Sequence, residues 1–265
     1  MSELRVVDSA TKEKPKRRLW LWVPSGIVTV LAIFISGFVV WAINPGVDLP
    51  AITQQNLQST DTVTVTDSAW ISFMPTSAPP TTGFIFYPGA RVPAQAYTPL
   101  AQQIASQGYL VVIVKPPINL SILNTTQAAP VIEHFSAVQR WVVGGHSMGG
   151  AVAAIYAENR PEEVEGVVLL AAYPPNDNLL DNGIEIASIY GTDDGIATLD
   201  EIDASRDDLP TDTLFVPIAG GNHAQFGYYG EQSGDNPATI AHDQQIAQTA
   251  TVIIDVLNTV ANASD

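Results

Sequence analysis

Cysteine is absent from the 265 residues. The chain therefore forms no disulfide, carries no thiolate nucleophile and offers no sulfur ligand to a metal. Basic residues are scarce: 11 Lys plus Arg stand against 27 Asp plus Glu, a formal net charge of −16. They are also unevenly spread. Six of the 11 precede residue 19, and beyond residue 44 only Arg91, Lys115, Arg140, Arg160 and Arg206 remain, against 24 acids, a formal net of −19. A surface so negative repels nucleic acid and anionic headgroups, and neither is expected as a ligand. No metal-ligand cluster, dinucleotide motif or phosphate loop occurs, so no metal or other cofactor is expected.

Charge is missing altogether from Leu19 to Ile43, 25 positions dominated by Leu, Ile, Val, Phe and Trp. As a helix at about 1.5 Å per residue, this run exceeds a bilayer core of roughly 30 Å. Lys12, Lys14, Lys16, Arg17 and Arg18 precede it, Trp20, Trp22 and Trp41 lie near its ends, and Asn44-Pro45-Gly46 stops it. Positive charge before an apolar span holds that end in the cytoplasm. The expectation is a basic cytoplasmic tail over 1–18, a transmembrane signal anchor over 19–43, a stalk over 44–60 and an extracytoplasmic domain over 61–265. A cleaved signal peptide would have a shorter apolar run and a small-residue cleavage site, which the end of this run lacks.

Beyond the stalk, the hydrophobic period changes repeatedly. Thr62–Thr66 and Ala69–Phe73 alternate around Asp67-Ser68, the pattern of an antiparallel hairpin. Gly83–Tyr87, Tyr109–Val114, Trp141–Val143, Val164–Ala172, Ile184–Tyr190 and Thr213–Ile218 are short apolar runs, each the length of a buried strand. Helical spacing separates them over Tyr97–Ser106, Ala128–Gln139 and Met148–Asn159, and Ile240–Val260 closes the chain as an amphipathic helix. Strands alternating with helices predict an α/β fold, a mostly parallel doubly wound sheet with helices on both faces. The connection between 164–172 and 184–190 is too short for a lid domain.

Gly145-His146-Ser147-Met148-Gly149 matches G-x-S-x-G between a strand signal and an alanine-rich helix signal. A nucleophile on a sharp strand-to-helix turn needs such small neighbours, because a Cβ at either flank would strike adjacent backbone. A serine hydroxyl needs a base, and the base an orienting acid. His223 follows the 213–218 strand in Ala219-Gly220-Gly221-Asn222-His223, where a base belongs, whereas His242 falls in the last helix and reads as a surface residue. His134 reads as structural or exposed, and His146 is expected to point away along the turn. For the acid, Gly191-Thr192-Asp193-Asp194-Gly195 offers two aspartates; the spacing favours Asp194 and leaves Asp193 open. Oxyanion donors are expected from the Met148 N–H at the helix N-terminus and from the Ala90 N–H in Tyr87-Pro88-Gly89-Ala90-Arg91. Arg91 is a candidate contact for a substrate carboxylate.

Phe86–Val92, Gly145–Gly150 and Gly221–Gly227 together resemble the small, lidless α/β-hydrolases of the dienelactone-hydrolase-like kind. The similarity spans about residues 60–260 and leans towards a group of bacterial, often membrane-anchored or secreted members. It implies the α/β-hydrolase fold, a Ser147–Asp194–His223 triad and oxyanion donors at Met148 and Ala90. The nucleophile here is serine, where true dienelactone hydrolases carry cysteine. The expected activity is hydrolysis of a small-molecule or envelope carboxylic ester through an acyl-enzyme. An acyltransferase, a peptidase and a catalytically idle binding domain are the alternatives.

Overall fold

The computed structural model describes residues 22–44, 49–180 and 183–263. The chain divides into two compact units, residues 1–41 and 42–265. The first contains most of helix α1 (Trp22–Ile43). Its side chains are described from Ile27 onward, and Ile27, Leu31, Phe34 and Ile35 are exposed. Among the described residues no helix is long and apolar enough to cross a membrane. The spanning helix expected over 19–43 is thus not found in the structure, and residues 1–21, which include the basic tail, lie outside the described residues.

The second unit is built on an eight-stranded sheet. Its strands are β1 (Val63–Asp67), β2 (Trp70–Pro75), β3 (Thr82–Tyr87), β4 (Leu110–Val114), β5 (Arg140–His146), β6 (Gly166–Leu170), β7 (Glu185–Gly191) and β8 (Leu214–Ile218). They lie in the order β1-β2-β4-β3-β5-β6-β7-β8. β1 and β2 form the antiparallel hairpin, β2 is antiparallel to β4, and every other pair is parallel. The central strands are continuous apolar runs because both faces are covered. Alternate residues of one strand enter two separate cores. Phe84 and Phe86 meet α3 (Thr98–Ala105) and α7 (His242–Asn262), while Ile85 and Tyr87 pack with α5 (Met148–Asn159). Each side chain so buried contributes roughly 1.5–3 kcal/mol. Pro217 is accommodated because β8 is an edge strand, where a missing N–H costs no ladder bond.

Three segments depart from the expectation. Residues 49–57, expected within a stalk, instead fold onto the domain. Helix α2 (Ala51–Gln55) buries Thr53, whose carbonyl accepts the Thr98 hydroxyl at 2.8 Å, and Leu49, Ile52 and Leu57 pack against the core. Helix α4 (Ala128–His134) ends early, because Phe135 leaves helical geometry and places its ring 6.2 Å from Trp70. Helix α6 (Leu199–Ala204) was hidden by its acids. Thr198 and Glu201 close a capping box, Ile202 is buried, and the carboxylates form the solvated side.

Candidate active site

β5 runs directly into α5 through Ser147, which adopts φ 54° and ψ −124°. A non-glycine residue there stores on the order of 1–3 kcal/mol. Neighbouring backbone holds it in place. The Ser147 N–H donates to Leu170 O at 2.9 Å, and its carbonyl accepts the Gly150 and Ala151 N–H groups at 3.0 and 3.2 Å. The flanking glycines are required by contact. A Cβ on Gly145 would lie 2.4 Å from Tyr87 O, and one on Gly149 would lie 2.0 Å from the same oxygen. The elbow is therefore pressed against the end of β3, which brings the turn after β3 to Ser147.

Asp194 and His223 converge from the ends of β7 and β8. Asp194 Oδ2 accepts His223 Nδ1 at 2.9 Å, and both side chains are buried. Asp194 Oδ1 accepts the N–H groups of Ile196 and Ala197, each at 2.8 Å. Its neighbour Asp193 faces elsewhere, with Oδ2 accepting the Thr239 hydroxyl at 2.9 Å. The two aspartates are thus separated by direction, which spacing alone could not decide. His223 Nε2 is buried and has no hydrogen-bond partner among the described residues. His223 and Ser147 line a small cleft of about 190 Å³, whose other walls include Met148, Ala172, Tyr173, Ile196 and Ala197.

A sequence profile described as "Alpha/beta hydrolase family" matches residues 83–247. The chain belongs to that family. Solved structures similar to it include the esterase domain of a Rhodothermus marinus protein, with 13% identity, TM-score 0.56, and 73% of this chain and 95% of that one covered. Est1E from Butyrivibrio proteoclasticus gives 10%, 0.55, 75% and 100%. TT1662 from Thermus thermophilus gives 13%, 0.56, 76% and 99%. At these identities the likeness carries the fold and not the reaction. No curated protein matches the sequence at a significant level.

In this alpha/beta hydrolase, the N–H groups of Met148 and Ala90 make no hydrogen bond among the described residues. Met148 N–H belongs to the first turn of α5, where such donors have no intrahelical partner. Ala90 and Arg91 line a second cleft, of about 460 Å³, with Tyr229, Glu231, Gln232 and Ser233. Arg91 has φ 60°, held by its N–H to Asn119 O at 2.7 Å, and its guanidinium donates to Asn44 O at 3.4 Å.

Two histidine expectations change. His242 is half-buried, stacked on Tyr228 with ring centroids 3.9 Å apart, and burial lowers its pKa. It became part of the interior because the chain folds the 228–242 loop back onto the start of α7. His146 is fully buried and does not point away from the site: its ring lies 4.5 Å from that of His223. Burial, then the proximity of His223, lowers its pKa well below the ordinary value, so it is neutral at pH 7. His134 is exposed and packs edge-on against Trp70.

Sequence reasoning also missed the residues that hold the His223 loop. Asp235 accepts the Gly195 N–H at 3.0 Å through one oxygen and the Ala224 N–H at 2.8 Å through the other, tying the Asp194 loop to the His223 loop. Gln245 of α7, fully buried, accepts Asn222 N–H at 3.1 Å and donates to Asn222 O at 2.7 Å. The signal for Gln245 was a polar residue on the apolar stripe of an amphipathic helix. Asp235, in a polar loop, had none.

Proposed function

We propose that this alpha/beta hydrolase is a serine hydrolase of carboxylic esters. The observation that carries the reading is the buried Asp194–His223 pair: His223 Nε2 has no hydrogen-bond partner among the described residues, and His223 lines the same cleft as strained Ser147. Ser147 Oγ attacks the ester carbonyl while His223 Nε2 takes its proton. Asp194, receiving Nδ1–H, keeps the imidazole in the tautomer that leaves Nε2 free to accept, and it stabilises the imidazolium that forms. Charge developing on the carbonyl oxygen is met by the N–H groups of Met148 and Ala90. Collapse expels the alcohol, which receives the proton from His223. Water then enters by the same route: His223 deprotonates it, it attacks the acyl carbon, and Ser147 leaves with its proton restored.

The size of the cleft, below the roughly 300 Å³ of pockets for larger ligands, supports a short acyl group. Its small apolar walls at Ala172 and Ala197 support the same choice. The reading extends to location. The basic residues before the uncharged run 19–43 support a chain held at the membrane with its hydrolase domain outside the cytoplasm. Protease accessibility in intact cells tests that placement, and protection of the domain there refutes it. The reaction is tested by labelling the full chain with a fluorophosphonate, alongside Ser147→Ala, and by turnover of p-nitrophenyl acetate. Label and turnover in the wild type alone are expected. Equal labelling of Ser147→Ala overturns the assignment.

A further inference from the structure

The buried groups left unused by this mechanism lie together behind it. Tyr97, at the entry to α3, is fully buried, and its oxygen accepts the Gly89 N–H at 3.1 Å. The same oxygen lies 2.9 Å from His146 Nδ1. A phenol has one proton, and with Gly89 as its donor that proton is directed to His146. His146 Nδ1 is therefore the acceptor, and the imidazole proton resides on Nε2. The opposite tautomer would aim two donors at the phenol oxygen and leave both a buried hydroxyl proton and the buried Nε2 lone pair unpaired, whereas this one leaves only the Nε2–H without a partner among the described residues. The packing is close: a Cβ on Gly89 would lie 2.9 Å from His146 Nδ1 and 3.1 Å from Tyr97 Oη. Phe226 and Tyr229 enclose the ring, with centroids 5.7 and 6.0 Å away.

Each member of this chain belongs to a different part of the site. Gly89 precedes Ala90, the proposed oxyanion donor. His146 precedes Ser147, and its ring lies against that of His223. We propose that Tyr97 and His146 are positioning residues: the relay from Gly89 N–H through the Tyr97 hydroxyl to His146 Nδ1 locks the oxyanion turn to the nucleophile elbow and sets an aromatic backing behind the base. The proposal rests on the esterase reading above. Two oxyanion donors borne on separate loops act together only if the loops keep a fixed separation. Among the described residues, this relay is a side-chain hydrogen-bond path that joins them. A neutral His146 also spares the imidazolium of His223 a like charge at its back.

The test compares the full-length wild type with Tyr97→Phe, His146→Phe, His146→Asn and the Tyr97→Phe/His146→Phe double variant, using p-nitrophenyl acetate, with near-UV circular dichroism reporting the fold. Removing one oxyanion donor costs about 10²–10³ in kcat, and a loosened donor costs less, so Tyr97→Phe is expected to lower kcat about ten- to a hundredfold with KM within about twofold. His146→Phe, which keeps a ring but no acceptor, is expected to match it. The double variant is expected to lose no more than the worse single one, because the two act as one unit. His146→Asn, whose side-chain oxygen can sit where Nδ1 does, is expected to recover most of the rate. Wild-type kcat in Tyr97→Phe, multiplicative losses in the double variant, or equal losses in His146→Asn and His146→Phe overturn the proposal while leaving the esterase reading intact. An inactive, unlabelled wild type overturns the esterase reading and the proposal with it.

Discussion

Replacing Asp194 by Asn changes one atom, and the structure dictates how the amide must sit. Asp194 Oδ1 accepts two backbone N–H groups, from Ile196 and Ala197, at 2.8 Å. Only the amide oxygen can serve them, so the NH₂ group must face His223 Nδ1, 2.9 Å from the replaced oxygen. Nδ1 then becomes an acceptor, the ring proton moves to Nε2, and the imidazole cannot take the proton of Ser147. The same inversion of tautomer in the serine-protease triad costs about 10⁴ in kcat. Here a loss of about 10³–10⁴ is expected, or roughly 4–5.5 kcal/mol of transition-state stabilisation. The fold should tolerate the change. Three charge-assisted bonds become neutral ones, a cost of about 1–3 kcal/mol. The assay is kcat and KM on p-nitrophenyl acetate, with Asp193→Asn in parallel. Asp193 binds Thr239 and Thr192 and does not reach His223, so its variant should stay within about threefold of wild type. A loss below tenfold in Asp194→Asn, or an equal loss in Asp193→Asn, would refute the reasoning.

Three further outcomes are expected. Gly149→Ala should prevent the elbow from closing, since its Cβ would meet Tyr87 O at 2.0 Å, and soluble folded protein should fall sharply. Gly108→Ala, in open space at φ 101°, should cost only about 1 kcal/mol; similar melting temperatures for the two variants would contradict the contact argument. Gln245→Ala leaves the Asn222 N–H and C=O without their buried partner, so chemical denaturation should show a loss of about 2–4 kcal/mol and turnover should fall as the His223 loop loosens. Unchanged stability would show that water or a rearranged loop replaces the clamp. His146 and His242 both have pKa values lowered from 6.5 by burial. The unfolded chain takes up these protons near pH 6.5 and the folded one only at lower pH, so this contribution is complete above pH 6.5 and declines as pH falls below it. Each histidine adds a slope of at most about 1.4 kcal/mol per pH unit. Urea melts between pH 7 and 5 should show the decline, and His146→Phe should shallow it; an unchanged slope would show that His146 does not titrate on unfolding.

What the sequence by itself determined is what depends on local pattern. Strand and helix identity followed from hydrophobic period, because a residue's face in either element is set by its spacing along the chain. The elbow followed from Gly145-x-Ser147-x-Gly149, because steric exclusion at two adjacent flanks leaves only glycine. The position of His223 just past a late strand was legible because the apolar run 213–218 ends a few residues before it. Tertiary structure decided whatever depends on direction. Adjacent aspartates point opposite ways from one loop, so only the folded backbone, with Ile196 and Ala197 N–H on one side and Thr239 on the other, separates Asp194 from Asp193. The segment 49–57 reads as polar linker because its few apolar residues, Leu49, Ile52 and Leu57, follow no long period, yet α3 and the core beneath it provide a surface for them. α6 is concealed by carboxylates because a one-turn amphipathic pattern, with Ile202 as its single buried contact, is too short to register. His146 and Tyr97 lie 49 residues apart and carry no motif together. Their contact exists only because the parallel pairing of β3 with β5 sets Tyr87 beside Gly145 and so delivers the turn after one strand to the end of the other.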